Sequence, residues 1–183
     1  FTSDQLQDLF DINVIGSFRV AKASLPHMRK QKSGLIIQIS SQLGRTVIPL
    51  MGLYSGTKFA VEAINESLAE EVEDLGIDVC IVQPGGYPTD FARNSLISAI
   101  DLTKEYGERV KKSMDSMNYY MESLKSPDAP KSQEVADAIV ELVETPLGKR
   151  PRRKVVGYSI GAQEINDVTK KVQDQLMNNF KIR

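Results

Sequence analysis

Two serines, a tyrosine and a lysine stand close together in one short stretch of the sequence. Ser40 and Ser41 follow an apolar run, and Tyr54 and Lys58 come later, four residues apart. Residues at this spacing are neighbours on a helix, so a helix here would place the phenol beside the ammonium group. A phenol ordinarily ionises near pH 10, and a neighbouring positive charge lowers its pKa. The pair therefore predicts a general acid/base, although this spacing also occurs by chance in many helices.

The surrounding pattern predicts the elements that hold these residues. The apolar run 35–39 predicts a buried strand, which puts both serines at its carboxyl end. Open parallel sheets bind ligands at that end. Apolar residues then recur at helical spacing over 53–75, so the tyrosine and the lysine lie on a helix that Gly76 ends. The glutamates of this helix, including Glu62, are expected on its solvent side.

Helical and strand patterns continue along the rest of the chain. A long helix is predicted from residue 4 to about 32, and Gly16 within it indicates a close helix contact or a local distortion near Asn13. Later elements are a buried strand over 77–82, a helix from 132, a short strand over 155–158 and a polar amphipathic helix over 162–180. Three parallel strands are therefore expected, as in an α/β fold.

Composition limits the classes of function. The 183 residues, 41% hydrophobic and 26% charged, suit one soluble domain over 1–183. A net charge of −1 gives no sign of a nucleic-acid partner, and the basic run 149–154 is expected to be a solvated turn. Cys80 has no partner for a disulfide, and no cysteine–histidine cluster indicates a metal site. No apolar window is long enough for a membrane span, and the first residues lack signal-peptide character, so cytoplasm is the expected compartment.

A wider pattern joins these residues. Pro84 and Gly85 end the second strand, and the segment 10–16 upstream contains Asn13. The chain resembles the short-chain dehydrogenase/reductase family over roughly residues 4 to 91. The resemblance lies in the serine pair, the tyrosine, the lysine, the Pro-Gly turn and the asparagine segment. The resemblance implies a Rossmann-type doubly wound parallel sheet. This chain would supply its carboxyl-terminal strands and helices.

The same resemblance implies roles for four catalytic residues. Tyr54 is similar to the family's general acid/base, and Ser41 to the residue that hydrogen-bonds the substrate oxygen. Lys58 would lower the pKa of the tyrosine and hold the nicotinamide ribose, and Asn13 would position a water that links the lysine to solvent. Alternation along the strand, with the thirteen-residue spacing to Tyr54, favours Ser41 over Ser40. Outside the family pattern, Asn13 would be an ordinary polar residue.

Further implied features concern the cofactor, the substrate and the assembly. Pro84, Gly85, Tyr87 and Thr89 would face the nicotinamide of NAD or NADP, although the family usually has valine or isoleucine at Tyr87, and a plain strand-to-helix turn is the alternative. Residues 92–130 resemble the substrate lid, while their apolar members at helical spacing suit a core equally well. The substrate would be a small alcohol or carbonyl compound. The family's equivalent helices pair between subunits, which implies a homodimer or homotetramer.

The sequence contains no glycine-rich turn after a strand, which a dinucleotide site needs for the pyrophosphate. The chain therefore resembles the carboxyl-terminal half to two-thirds of a family member. If the 183 residues were complete, the bared strand 35–41 should make the protein aggregate. The main hypothesis is an oxidoreductase that interconverts an alcohol and a ketone or aldehyde. The alternatives are an inactive fragment or regulatory binding module, and, third, an isomerase or epimerase.

Overall fold

The computed structural model of the chain describes residues 2–91 and 102–180. Its helices are α1 (Ser3–Phe10), α2 (Ser17–Gln31), α3 (Gly52–Val72), α4 (Leu102–Tyr106), α5 (Glu108–Ser123), α6 (Gln133–Glu144) and α7 (Ala162–Asn179). Its strands are β1 (Gly34–Ile39), β2 (Ile77–Pro84) and β3 (Arg153–Val156). Short 3-10 turns cover Gln42–Gly44 and Glu73–Leu75. None of the helices within the described residues is long and apolar enough to cross a lipid bilayer.

The three strands form one parallel sheet in the order β1-β2-β3. Residues Gly34 and Ile39 of β1 stand opposite Ile77 and Val82 of β2. The predicted strands 35–39 and 77–82 are confirmed, and so is the α/β fold with a parallel sheet. Because all three strands run the same way, their carboxyl ends meet at one edge, which is the ligand-binding edge of such sheets.

Helices cover both faces of the sheet. Alternate residues of β2 point to opposite sides. On one side Ile77 and Val79 pack with α2 and α3, and on the other Cys80 and Val82 pack with Leu142 of α6 and its neighbours. Cys80 is a buried core residue, as predicted. Apolar burial on the first face holds α3 against the strands whose ends carry the candidate site.

The predicted helix 4–32 is interrupted by a π-helical segment, Asp11–Gly16, between α1 and α2. A Cβ at Gly16 would lie 3.4 Å from the carbonyl oxygen of Asp11. The local distortion expected near Asn13 is confirmed. Such π segments are frequent at functional sites, because the extra residue per turn redirects a side chain.

Two expectations about charged residues are wrong. Glu62 does not face solvent; it is 2% exposed and its Oε2 lies 2.8 Å from Nε of Arg153. The basic run 149–154 is not a solvated turn, because β3 begins at Arg153 and four of the cations form ion pairs, namely Arg150, Arg152, Arg153 and Lys154. Arg150 bonds Asp78 at 2.7 Å and Lys154 bonds Glu141 at 2.7 Å. The last strand therefore starts two residues earlier than predicted, since paired arginine can enter a sheet.

Candidate active site at the carboxyl edge of the sheet

Ser41 lies where β1 ends and the chain turns into the 3-10 segment. Its backbone is extended, and its Oγ accepts a hydrogen bond of 3.1 Å from the amide of Leu43. Its hydroxyl lies near enough to the Tyr54 phenol to lower the pKa of that phenol in part. Ser40 is buried at 3% exposure, and its Oγ has no hydrogen-bond partner among the described residues. Of the two serines, it is Ser41 that the structure brings to Tyr54.

Lys58 stands one turn after Tyr54 on α3. Its Nζ donates to the carbonyl oxygen of Ile39, the last residue of β1, at 3.2 Å. It also lies 5.7 Å from the centroid of the Tyr54 ring. The lysine thus ties the helix to the end of the strand and places its positive charge over the face of the phenol ring.

The ionisation of these two groups differs from the sequence argument. Burial raises the pKa of Tyr54 above its ordinary value, and the hydrogen bond that Ser41 donates lowers it in part. That Lys58 lowers this pKa stays a prediction; its ammonium group lies over the ring and donates to Ile39. Burial lowers the pKa of Lys58 itself, and the negative charge of Glu62 raises it in part.

Asn13 projects from the π segment toward α3. Its Nδ2 donates to Oγ1 of Thr57 at 3.1 Å, and that hydroxyl donates to the carbonyl oxygen of Tyr54 at 2.7 Å. Thr57 is fully buried. Asn13 is therefore linked through Thr57 to the turn of α3 between Tyr54 and Lys58. Sequence reasoning missed Thr57. The only signal for Thr57 was a hydroxyl residue directly before the lysine on a helix with a buried face.

Pro84 is the last residue of β2, and Gly85 follows it. Gly85 lies beside the turn 41–46, here called the serine turn, since a Cβ on it would stand 3.1 Å from Nε2 of Gln42. Gly85 donates its amide to the carbonyl oxygen of Val156 at 2.9 Å. Tyr87 donates its hydroxyl to Oε2 of Glu134 on α6 at 3.3 Å. Burial, together with the Glu134 carboxylate, raises the pKa of Tyr87 to about 12. The ring expected near a cofactor therefore packs against α6.

Thr89 and Phe91 continue the same loop. The amide of Thr89 bonds the carbonyl oxygen of Tyr87 at 2.8 Å, and its Oγ1 accepts from the amide of Phe91 at 3.4 Å. The ring of Phe91 meets that of Tyr54 edge to face, with centroids 5.4 Å apart. No sequence signal pointed to Phe91, since the contact depends on how the loop folds back over α3.

The predicted lid segment 92–130 is described only in part. Its apolar members Leu96, Ile97 and Ile100 lie outside the described residues. The remainder forms α4 and α5, and Tyr120 of α5 stands directly against Gly86. A side chain at Gly86 would collide with this tyrosine, so glycine lets α5 approach the loop after β2.

Comparison with known proteins supplies the family. A family model for the short chain dehydrogenases matches residues 1–98 of this chain, more than half of its 183 residues. The chain belongs to the short-chain dehydrogenase family. A family relative from Bacteroides thetaiotaomicron, named 3-ketodihydrosphingosine reductase, is 44% identical over 99 residues, which are 54% of this chain and 37% of that protein. Human retinol dehydrogenase 8 is 28% identical over 162 residues, 84% of this chain and 50% of that protein.

Solved structures of short-chain dehydrogenases share the fold. One from Streptomyces avermitilis superposes with a TM-score of 0.68 at 26% identity, covering 99% of this chain and 62% of its own. An alcohol dehydrogenase from Thermococcus sibiricus, complexed with 5-hydroxy-NADP, has a TM-score of 0.61 at 19% identity over 85% and 54% of the two chains. The chain thus spans 37% to 50% of the length of the two sequence relatives. It corresponds to part of a Rossmann-type doubly wound sheet.

Proposed function

We propose that the protein containing this chain is an oxidoreductase that interconverts an alcohol and a ketone or aldehyde with NAD or NADP. The observation that carries this proposal is the convergence of Ser41, Tyr54 and Lys58 at the carboxyl edge of the sheet. The Nζ of Lys58 lies over the tyrosine ring and donates to Ile39 at the end of β1, beside Ser41. Two hydroxyl groups at the same edge of the sheet can both turn to one incoming oxygen. In a family member, that arrangement suits a carbonyl oxygen as the group that accepts the proton.

Ser41 and Tyr54 have separate roles in binding the substrate oxygen and in giving it a proton. A nicotinamide cofactor, when bound, supplies or accepts the hydride at the substrate carbon. Ser41 donates a hydrogen bond that orients the substrate oxygen, and Tyr54 gives that oxygen its proton during reduction. The raised pKa of Tyr54 keeps the phenol protonated at neutral pH, which is the form needed for donation. Asn13 and Thr57 hold the helix backbone that carries the phenol.

Two features fit a nicotinamide cofactor at this edge. An ammonium group has three N–H donors, and the bond to Ile39 uses one of those on Lys58, so the others suit ribose hydroxyls. The ring of Tyr87 is engaged with Glu134, so its main chain is what remains to bind the carboxamide. We assign Pro84, Gly85 and Thr89 to the same nicotinamide side, and residues 92–130 to the substrate lid. The whole span 1–183 would be part of one NAD(P)-binding domain.

An apolar surface on α2 and α3 supports the proposal of a subunit assembly. Phe18, Leu25, Ile64 and Leu68 line a shallow groove between the two helices. Phe18 is 47% exposed and Ile64 is 36% exposed. We propose that this surface pairs with a second copy, giving a homodimer or homotetramer, because burying it would remove exposed apolar area from water.

The relatives guide the choice of substrates for a test. Their names refer to 3-ketodihydrosphingosine and to retinol, both apolar compounds with a carbonyl or alcohol group. The full protein is incubated with apolar ketones and aldehydes and with NADH or NADPH deuterated at the transferring position of the nicotinamide. We expect deuterium at the former carbonyl carbon of the product. Conversion of substrate without net cofactor oxidation would instead indicate an isomerase, and binding without conversion would indicate an inactive module.

A further inference from the structure

The side chain of Gln42 is the most completely bonded polar group near the candidate site. It follows Ser41 directly and is 1% exposed. Its Nε2 donates to the carbonyl oxygens of Tyr158 at 2.7 Å and Val156 at 3.3 Å, and its Oε1 accepts from the amide of Ile160 at 2.8 Å. Both N–H donors of the carboxamide are therefore used, and every partner is a backbone atom.

These bonds join the turn after β1 to the end of β3, beside the end of β2. Gln42 begins the turn after β1, and its partners Val156 to Ile160 lie at and just beyond the end of β3. Gly85, at the end of β2, bonds the same Val156 carbonyl at 2.9 Å. A Cβ at Gly85 would stand 3.1 Å from Nε2 of Gln42. One carboxamide thus sits between the serine turn, the Pro-Gly turn and the segment that leads into α7.

The backbone of the serine turn has its own bonds, which do not fix it to the other strands. The carbonyl oxygen of Gln42 accepts from the amides of Arg45 at 3.0 Å and Thr46 at 3.1 Å. These contacts close the turn locally. Directly before the turn, the amide of Ser40 donates to the carbonyl oxygen of Val82 in β2 at 2.8 Å. The link from the turn to the end of β3 depends on the Gln42 side chain, and a second link runs from Arg45 to Thr169 on α7.

Resting on the proposed function, we propose that Gln42 is a positioning residue that sets the separation between Ser41 and Gly85. Those two residues belong to the oxygen-binding side and the nicotinamide side of the site. Residues 156–160, which hold the carboxamide, lie beyond the 1–98 span matched by the family. A displacement of about 1 Å between reacting groups lowers rates by about 100-fold. The segment after β3 thus acts on catalysis through this glutamine.

Two substitutions in the full protein isolate the carboxamide. Gln42→Met keeps the length of the side chain and removes its hydrogen bonds. Gln42→Glu keeps the shape but removes the donors and sets a carboxylate against two carbonyl oxygens. We expect kcat to fall by about 100-fold, while KM for the cofactor changes little, because Lys58 and Tyr54 on α3 stay in place.

Two controls separate positioning from loss of stability. Leu142→Ala opens the core beside α6 and destabilises the fold without contacting the serine turn, and Gln163→Met alters an exposed glutamine of α7. With activity expressed per folded molecule, both controls should keep the wild-type kcat. If Gln42→Met matches Leu142→Ala in kcat, the positioning role is overturned.

A second readout does not depend on turnover. Hydrogen exchange of the backbone amides of Gly44, Thr46 and Gly85 should become faster in Gln42→Met than in wild type, and should stay unchanged in Gln163→Met. If exchange at all three amides is unchanged in Gln42→Met, the positioning role of Gln42 is overturned, whatever the activity of that variant. A different result is a wild-type protein that transfers no deuterium from the cofactor, while amide exchange still becomes faster in Gln42→Met than in wild type. That result would contradict only the proposed function.

Discussion

The phenol of Tyr54 experiences two opposing effects. Burial raises its pKa, and the hydrogen bond from Ser41 lowers it in part. The folded protein therefore holds this proton more tightly than the unfolded chain. The resulting stabilisation is present below the ordinary pKa of about 10 and is lost as the pH rises above it. In the absence of cofactor, the residue should be a proton donor throughout the neutral range.

A titration checks this assignment at the residue scale. The tyrosinate absorbance above pH 10 should lose the ionisation of one group in Tyr54→Phe, while Tyr87, whose pKa is raised to about 12, still contributes. Ser41→Ala should move this ionisation to still higher pH, because the phenolate loses a hydrogen-bond donor. Ser33→Ala serves as the control, since Ser33 is exposed at the opposite end of β1. Ionisation of Tyr54 below pH 10 in the protein without cofactor would contradict the burial argument.

At the scale of elements, α3 is fixed to the last strand by a buried ionic network. Glu62 of α3 accepts from Arg153 of β3 through Oε2 and from Gln83 of β2 through Oε1, each at 2.8 Å. Gln83 in turn accepts from Asn166 of α7 at 2.7 Å, and Arg153 also bonds both oxygens of Glu66. The helix that carries Tyr54 and Lys58 is therefore held in register with two strands and α7.

Breaking this network should weaken the fold markedly. Arg153→Met leaves the Glu62 carboxylate buried without its cation, so we expect the free energy of unfolding to fall by about 3 to 5 kcal/mol. The double variant with Glu62→Gln should be more stable than Arg153→Met alone, because no buried charge is then left unpaired at Glu62. Urea denaturation measures the free energy of unfolding of both variants.

Lys125→Met is the control. It removes an exposed pair with Glu122 and should cost under about 1 kcal/mol. Additive losses in the double variant would refute the coupling.

Local patterns predicted the elements that hold the site but not their long-range partners. The strand 35–39 and the helix that carries Tyr54 follow from apolar periodicity, which is a local property of the chain. Glu62 was assigned to solvent because its charge suggested an exposed face, whereas its partner Arg153 lies 91 residues away. The contacts of Gln42 with 156–160 and of Phe91 with Tyr54 depend in the same way on tertiary folding, which periodicity does not encode.

At the scale of the whole molecule, the groove of α2 and α3 determines the proposed assembly. Phe18→Lys combined with Ile64→Lys should convert the oligomer to a monomer, because a charge on each helix would be buried without a partner. Light scattering coupled to size-exclusion chromatography measures the mass of the particle. Val168→Lys is the control, since Val168 is similarly exposed on α7. A wild-type protein that is already monomeric would contradict the proposed interface.

The central claim is that Tyr54 delivers the proton in an NAD(P)-linked reaction, and the turnover of Tyr54→Phe tests it most directly. The substitution removes one hydroxyl and keeps the ring that packs against Phe91. We expect kcat to fall by about 100- to 10,000-fold, the usual contribution of general acid–base catalysis. Cofactor affinity should be retained, because the substitution leaves unchanged Lys58, which we propose binds the ribose. A variant that binds cofactor and turns over at the wild-type rate would contradict the account.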